Sequence, residues 1–145
     1  MSVKVVLTTI HAPNRCVESW SNLNGNEVIV AGDRKTPDDW NCPGCRFFSF
    51  EEQQDSDFQL GHDLPSDHYS RKMLGYLLAL REGGTHIFDT DDDNEPFVDA
   101  WRNGAPRPRS GDTVTMTDPE LGFVNPYSFY GTGTDKVWPR GLPLE

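Results

Sequence analysis

Apolar positions in this chain come as short dense runs separated by polar, turn-forming stretches. Val3-Lys4-Val5-Val6-Leu7-Thr8-Thr9-Ile10 is β-branched and nearly continuous in apolarity, as a strand buried on both faces would be. His11-Ala12-Pro13-Asn14 breaks it. Cys16 to Leu23 then has the length of a short helix, ended by Asn24-Gly25-Asn26. Glu27-Val28-Ile29-Val30-Ala31 predicts a second buried strand, with Gly32-Asp33 at its carboxyl end. A loop from Arg34 to Trp40 leads to a third strand at Arg46 to Phe50. Glu51 to Phe58 predicts a short helix and Gly61 to Pro65 a loop. Ser66 or Asp67 caps the longest helix, which ends near Glu82 at Gly83-Gly84. Its Met73, Leu74, Leu77 and Leu80 fall at helical spacing and predict a core-facing stripe.

A fourth strand, Thr85 to Phe88, turns abruptly into acids: His86-Ile87-Phe88-Asp89-Thr90-Asp91-Asp92-Asp93-Asn94. The element order is β-α-β-β-α-β, or β-α-β-α-β-α-β with the short helices counted. Either order predicts an α/β fold with a mostly parallel sheet flanked by helices. Beyond Asn94 the pattern weakens. Gly104 to Gly111 is a Pro/Arg-rich loop, Asp112 to Thr117 alternates like an exposed strand, and Asn125 to Tyr130 is aromatic. The chain reads as one domain over 1–145, with a core half at 1–94 and a loop-rich remainder at 95–145 that looks cut rather than finished.

Composition narrows the function classes. A content of 35% hydrophobic and 11% aromatic residues is enough to build a core, while 13 glycines and 11 prolines imply much loop. The net charge of −10 is concentrated in two acidic blocks, Glu51 to Asp67 and Asp89 to Asp99, a field that repels a nucleic-acid backbone. Nucleic acid is therefore excluded as an expected partner. No run approaches the ~20 apolar residues of a membrane span, and no signal-peptide pattern follows Met1. As it stands the chain is expected to be soluble, and cytoplasmic if complete. Cys42-Pro43-Gly44-Cys45 precedes a strand instead of opening a helix, and it lacks the second pair a zinc site needs. It reads as two ordinary thiols in a turn. No Ser/His/Asp arrangement, dinucleotide glycine fingerprint or P-loop is present, which disfavours hydride and P-loop chemistry.

The acids after the fourth strand allow three readings. One is a solvated turn. A calcium loop starting at Asp89 would need glycine and glutamate where the chain has Asn94 and Ala100, so that reading fails. The third is an Asp-x-Asp site, in which Asp91 and Asp93 hold magnesium or manganese and leave coordination positions for water and a diphosphate. In open parallel sheets ligands bind outside the carboxyl ends of the strands, near a switch in strand order. That rim would carry Thr8 and Thr9, then Asp33, Arg34 and Lys35, then Asp91 to Asp93. It is the set a nucleotide diphosphate bound through a metal requires. Arg71 and Lys72 add a clue, since cations in the first turn of a helix oppose its dipole by about 0.3 to 1 kcal/mol each. Either a ligand phosphate compensates them, or Asp67 pairs with Arg71 one turn away.

Several longer motifs carry a resemblance. Gly32-Asp33-Arg34-Lys35-Thr36-Pro37, Leu64-Pro65, Tyr69-Ser70-Arg71-Lys72-Met73-Leu74-Gly75-Tyr76-Leu77, Asp91-Asp92-Asp93-Asn94, Asn125-Pro126-Tyr127 and Trp138-Pro139-Arg140-Gly141 resemble the STELLO glycosyltransferase-like family, over nearly the whole chain. More distantly, the chain is similar to the reversibly glycosylated polypeptides. The resemblance implies a GT-A-type, Rossmann-like domain that binds a UDP-sugar and transfers its sugar to a glycan or protein acceptor. Asp91 and Asp93 would face Mn2+ or Mg2+. Thr8, Thr9 and Asp33 would touch the nucleoside, Arg71 and Lys72 would lie near the base or diphosphate, and Arg34, Lys35 and Asp92 would complete the donor site. Family members of this kind are membrane-anchored Golgi proteins, which implies the Golgi lumen if the chain is a fragment. Asp112 or Asp118 would be the candidate base. A non-catalytic partner in a glycan-synthesising assembly and a UDP-sugar mutase are the alternatives.

Overall fold

The computed structural model describes residues 2–23 and 26–101, which lie in the first of two units into which the chain divides, Met1–Arg107. The expected strand at Asp112 to Thr117, the aromatic segment at Asn125 to Tyr130 and the candidate bases Asp112 and Asp118 lie outside the described residues. The described elements are β1 (Val3–Thr8), α1 (Arg15–Ser21), β2 (Asn26–Ala31), β3 (Cys45–Phe48), α2 (Phe50–Asp55), α3 (Leu60–Asp63), a 3-10 turn (Tyr69–Arg71), α4 (Lys72–Arg81), β4 (His86–Asp89) and α5 (Val98–Trp101). The four strands form one sheet in the order β3-β2-β1-β4, and every pairing is parallel. This is the expected α/β, Rossmann-like architecture. Among the described residues no helix is long and apolar enough to cross a membrane.

The dense apolarity of β1 and β2 follows from cover on both faces. Val5, Leu7, Val28 and Val30 pack on one side with Val17 and Trp20 of α1, with Trp40 and Cys42, and with Trp101. Val6 and Ile29 pack on the other side with Phe48 and with Leu74, Leu78 and Ala79 of α4. Neighbours in sequence therefore serve opposite layers. Asn14 caps α1 by accepting from the Val17 N–H at 3.0 Å. Ser49 and Glu52 form a reciprocal capping box that starts α2 one residue before the expected position. The Cys42–Cys45 stretch is a tight turn into β3, closed by the Cys45 N–H donating to the Cys42 carbonyl at 3.0 Å, with Gly44 at φ 84°. Both thiols are free. Burial pushes the Cys45 thiol up to about 12, and Cys42 beside it adds to the shift.

Three expectations around α4 need correction. Ser66 and Asp67 do not cap it. His68 caps a 3-10 turn by accepting from the Ser70 N–H at 3.1 Å, and α4 begins only at Lys72. The expected loop over Gly61 to Pro65 begins as one helical turn, Leu60–Asp63. The expected stripe is also rotated. Met73 and Leu80 are 42% and 59% exposed, whereas Lys72, Leu74, Gly75, Leu78 and Ala79 are buried. Apolar residues surround α4 on all sides, so their period cannot select a face. Gly75 selects it: a Cβ there would lie 2.7 Å from Val6 Cγ1, so the missing side chain lets the helix approach β1.

Candidate functional site

The sheet order contains one reversal. From β1 the chain moves outward to β2 and β3, then returns to the other side of β1 as β4. Such a switch leaves a crevice at the carboxyl ends of the two strands where the direction changes. A cavity of about 270 Å³ opens there. Thr8, Thr9, Ile10 and His11 line it from the end of β1, Asp33 and Lys35 from the end of β2, Asp67, His68 and Tyr69 from the approach to α4, and Asp92 from the end of β4.

Hydrogen bonds tie these loops together. Thr36 Oγ1 accepts from the Asp33 N–H at 2.8 Å and donates to the Thr9 carbonyl at 2.7 Å, joining the ends of β1 and β2. Thr9 Oγ1 donates to Asp92, and Asn14 Nδ2 donates to the Asp92 carbonyl at 2.9 Å, joining β1 to the acidic arm. Trp20 Nε1 donates to the Asn94 carbonyl at 2.8 Å, fixing the far end of that arm. Asp33 is only 5% exposed, and its carboxylate is spent on backbone. Oδ1 accepts from the Arg34 and Asp67 N–H groups at 2.8 and 2.9 Å, and Oδ2 accepts from the His68 N–H at 3.0 Å. These bonds hold Asp67 at φ 54°, a left-handed conformation rarely adopted by a non-glycine residue. Asp33 thus pins the wall made by Asp67 to Tyr69.

The charges around this wall pair in a way the sequence did not indicate. Asp67 pairs with Arg34 and, at 4.0 Å, with Lys35, not with Arg71. The Arg34 bond holds the Asp67 carboxyl below the ordinary carboxylate range, against a smaller opposing effect of burial. Arg71 is fully buried. Its Nε donates to Gln53 Oε1 at 2.8 Å, its Nη1 donates to the Leu64 carbonyl at 3.1 Å, and its guanidinium lies over the Phe50 ring. Gln53 in turn donates to the Gly32 and Phe48 carbonyls, both at 2.8 Å, so Arg71 is anchored to the ends of β2 and β3. Burial lowers the Arg71 pKa, and the nearby Asp33 charge opposes that shift.

Lys72 is also fully buried, and its Nζ donates to the Thr90 carbonyl and to Asp91 Oδ1, both at 2.8 Å. Asp89 Oδ1 lies 2.9 Å away. Burial disfavours the charged amine, but hydrogen bonds to Asp91, Asp89 and Tyr69 outweigh it and hold Lys72 above the ordinary lysine range. The charge of Lys72 is thus compensated inside the protein, whereas Arg71 has neutral partners and its Nη2 is buried without a hydrogen bond.

The cavity therefore brings together five of the expected donor-site residues: Thr8, Thr9, Asp33, Lys35 and Asp92. Arg34 lines a neighbouring cavity with Phe47 and Phe50. Arg71 and Lys72, expected near the base or diphosphate, do not line the 270 Å³ cavity, because both are committed to interior partners. Ile10, His11, Asp67, His68 and Tyr69 also line it. Tyr69 is visible within the longest motif, while His11 has only its position after β1 to mark it.

Asp91 and Asp93 are exposed and flank Asp92 in sequence; of the three, Asp92 lines this cavity, while Asp91 lines a separate one with Trp20, Phe88 and Trp101. Among the described residues no three His, Cys, Asp or Glu side chains converge as a metal cage. Magnesium and manganese do not demand one, since one or two carboxylates suffice when waters and substrate phosphates complete the set. On this arm Asp93 is exposed, and Lys72 takes Oδ1 of Asp91, leaving its second oxygen.

No family model matches the chain. Two relatives do: the proteins named probable glycosyltransferase STELLO1 and STELLO2 of Arabidopsis thaliana are each 31% identical to it over 97% of its length. This stretch of chain is STELLO-like. It spans 19% of the length of each relative, so the comparison concerns one segment of those proteins. In the STELLO-like chain that segment contains the switch-point cavity and the acidic arm beside it.

Proposed function

We infer that this domain carries the donor site of a metal-dependent glycosyltransferase, which takes a UDP-sugar and passes its glycosyl group to a glycan or protein acceptor. The observation that carries the reading is the juxtaposition at the β1/β4 switch point. A cavity walled by threonines, a pinned aromatic loop and Lys35 is also lined by Asp92, whose sequence neighbours Asp91 and Asp93 are exposed on a strand-anchored arm. The names of the Arabidopsis relatives support the same reaction class.

In this reading the nucleoside enters between Ile10 and His11 on one side and His68 and Tyr69 on the other. The Thr9–Asp92 pair forms the floor, and Lys35 faces the diphosphate. Asp91 and Asp93 would hold Mn2+ or Mg2+, and such an ion supplies Lewis-acid neutralisation of the charge that builds on departing UDP. The protein's own part is positioning. Asp33 and Thr36 fix the cavity walls, and Lys72 fixes Asp91.

The test is turnover. The purified chain incubated with a panel of UDP-sugars and Mn2+ should release UDP, and Asp93→Asn should abolish that release. Unaffected release in the variant removes the metal assignment. Isomerised UDP-sugar with no free UDP would mark a mutase, and donor binding without turnover a non-catalytic module.

A further inference from the structure

The acidic arm after β4 already holds a cation of the protein's own. Lys72 Nζ has four oxygens around it: the Thr90 carbonyl and Asp91 Oδ1 at 2.8 Å, Asp89 Oδ1 at 2.9 Å and the Tyr69 hydroxyl at 3.0 Å. An ammonium has three N–H donors, so four oxygen neighbours exhaust it and none remains for a phosphate. The amine is fully buried, while the Asp89 and Asp91 side chains are each 53% exposed. The carboxylates thus turn one oxygen inward to Lys72 and remain accessible to solvent. Tyr69 links this arrangement to the cavity, because it lines the cavity wall and its ring lies 4.7 Å from Lys72 Nζ.

Two consequences follow for a divalent cation. The fixed positive charge of Lys72, in direct contact with Asp91, repels a second cation brought to the same carboxylate. The inner oxygens of Asp89 and Asp91 are also withdrawn from the ligand set. What remains, Asp93 and one oxygen each of Asp89 and Asp91, the latter two on carboxylates already neutralised by Lys72, is too weak a set for tight binding without phosphate oxygens.

We propose that Lys72 is a positioning residue that makes divalent-metal binding conditional on the nucleotide: it occupies the arm's inner cation position, presents Asp91 outward, and leaves a site that only the diphosphate completes. The proposal rests on the donor-site reading above. In it Lys72 prevents the arm from trapping metal in the empty protein, and the diphosphate charge reverses the balance once the donor arrives. By linkage, metal and nucleotide then strengthen each other's binding by the same factor.

The experiment is titration of Mn2+ into the full chain, followed by the paramagnetic resonance signal of free Mn2+, with and without UDP. Wild type should bind Mn2+ weakly alone and more tightly with UDP. Lys72→Met, which keeps the bulk and removes the charge, should bind Mn2+ alone on the order of tenfold tighter, with a smaller gain from UDP. Adding Asp89→Asn should take back part of that increase, because Asp89 becomes a ligand once released. Lys72→Gln, which keeps a hydrogen-bond donor, carries the comparison if the methionine variant does not fold. Equal Mn2+ affinity in wild type and a folded Lys72 variant, measured without UDP, overturns the proposal. Wild type that does not bind UDP with or without Mn2+ removes the donor-site reading instead, and the Lys72 comparison still decides whether the lysine excludes metal.

Discussion

Replacing Asp33 by Asn tests whether one buried carboxylate holds the cavity wall. Its oxygens accept three backbone N–H groups, two on Oδ1 and one on Oδ2. An asparagine has one acceptor oxygen, so in either orientation its NH2 group opposes at least one of those N–H donors. The residue is 5% exposed, so water cannot fill the gap freely. Leaving a buried donor without its partner costs about 1 to 3 kcal/mol, and more where the lost partner was charged. The loss of charge near buried Arg71 acts in the same direction. The expected total is about 2 to 4 kcal/mol, or a melting-midpoint drop of roughly 6 to 12 °C for a chain of this size. Asp67, no longer held at φ 54°, should relax and open the wall. Thermal unfolding and amide hydrogen exchange at Asp67 and His68 measure both effects. A shift below about 2 °C with unchanged exchange at those amides would refute the clamp.

Gly75→Ala sets helix propensity against packing. Alanine gains about 1 kcal/mol in the helix, but its Cβ would lie 2.7 Å from Val6 Cγ1 in a fully buried contact, and overpacking costs about 1 to 3 kcal/mol. Net destabilisation is expected in wild type and stabilisation in a Val6→Ala background, as read by denaturant unfolding; the same sign in both backgrounds contradicts the packing account. Asp67 provides a pH prediction. Its folded pKa is depressed, so the Arg34 pairing is fully present above the unfolded carboxylate value and is lost as pH falls through the lower folded value. A carbon-detected NMR titration should place the Asp67 midpoint below the ordinary range and see it rise in Arg34→Gln; equal midpoints in the two proteins would remove the pairing.

The sheet was legible because β1 and β2 are buried on both faces, and dense runs such as Val5-Val6-Leu7 and Val28-Ile29-Val30 have few other uses in a chain of this length. The rim was legible for the same reason: parallel polarity puts Thr8, Thr9, Asp33 and Asp92 at one edge whatever the details of the loops. The orientation of α4 was not, because Met73, Leu74, Leu77, Leu78 and Leu80 surround the helix and the deciding residue, Gly75, carries no hydrophobic signal. The roles of Arg71 and Lys72 were hidden by distance along the chain. A local rule pairs Arg71 with Asp67 one turn away, whereas Arg71 reaches Gln53 eighteen positions back and Lys72 reaches Asp91 nineteen positions ahead. Asp33 lines the cavity as its strand-end position indicates, but its hold on three backbone amides was not legible, because strand-end polarity says where a carboxylate sits, not which amides it will accept from.

The central claim is a nucleotide-diphosphate site completed by a metal at Asp91 and Asp93, and calorimetric titration of UDP into the chain tests it most directly. Run with and without Mn2+, and repeated on Asp91→Asn/Asp93→Asn, it should give binding that strengthens with Mn2+ in the wild type and loses that dependence in the double variant. Absence of UDP binding under every condition, or Mn2+-dependent binding that survives both substitutions, would contradict the account.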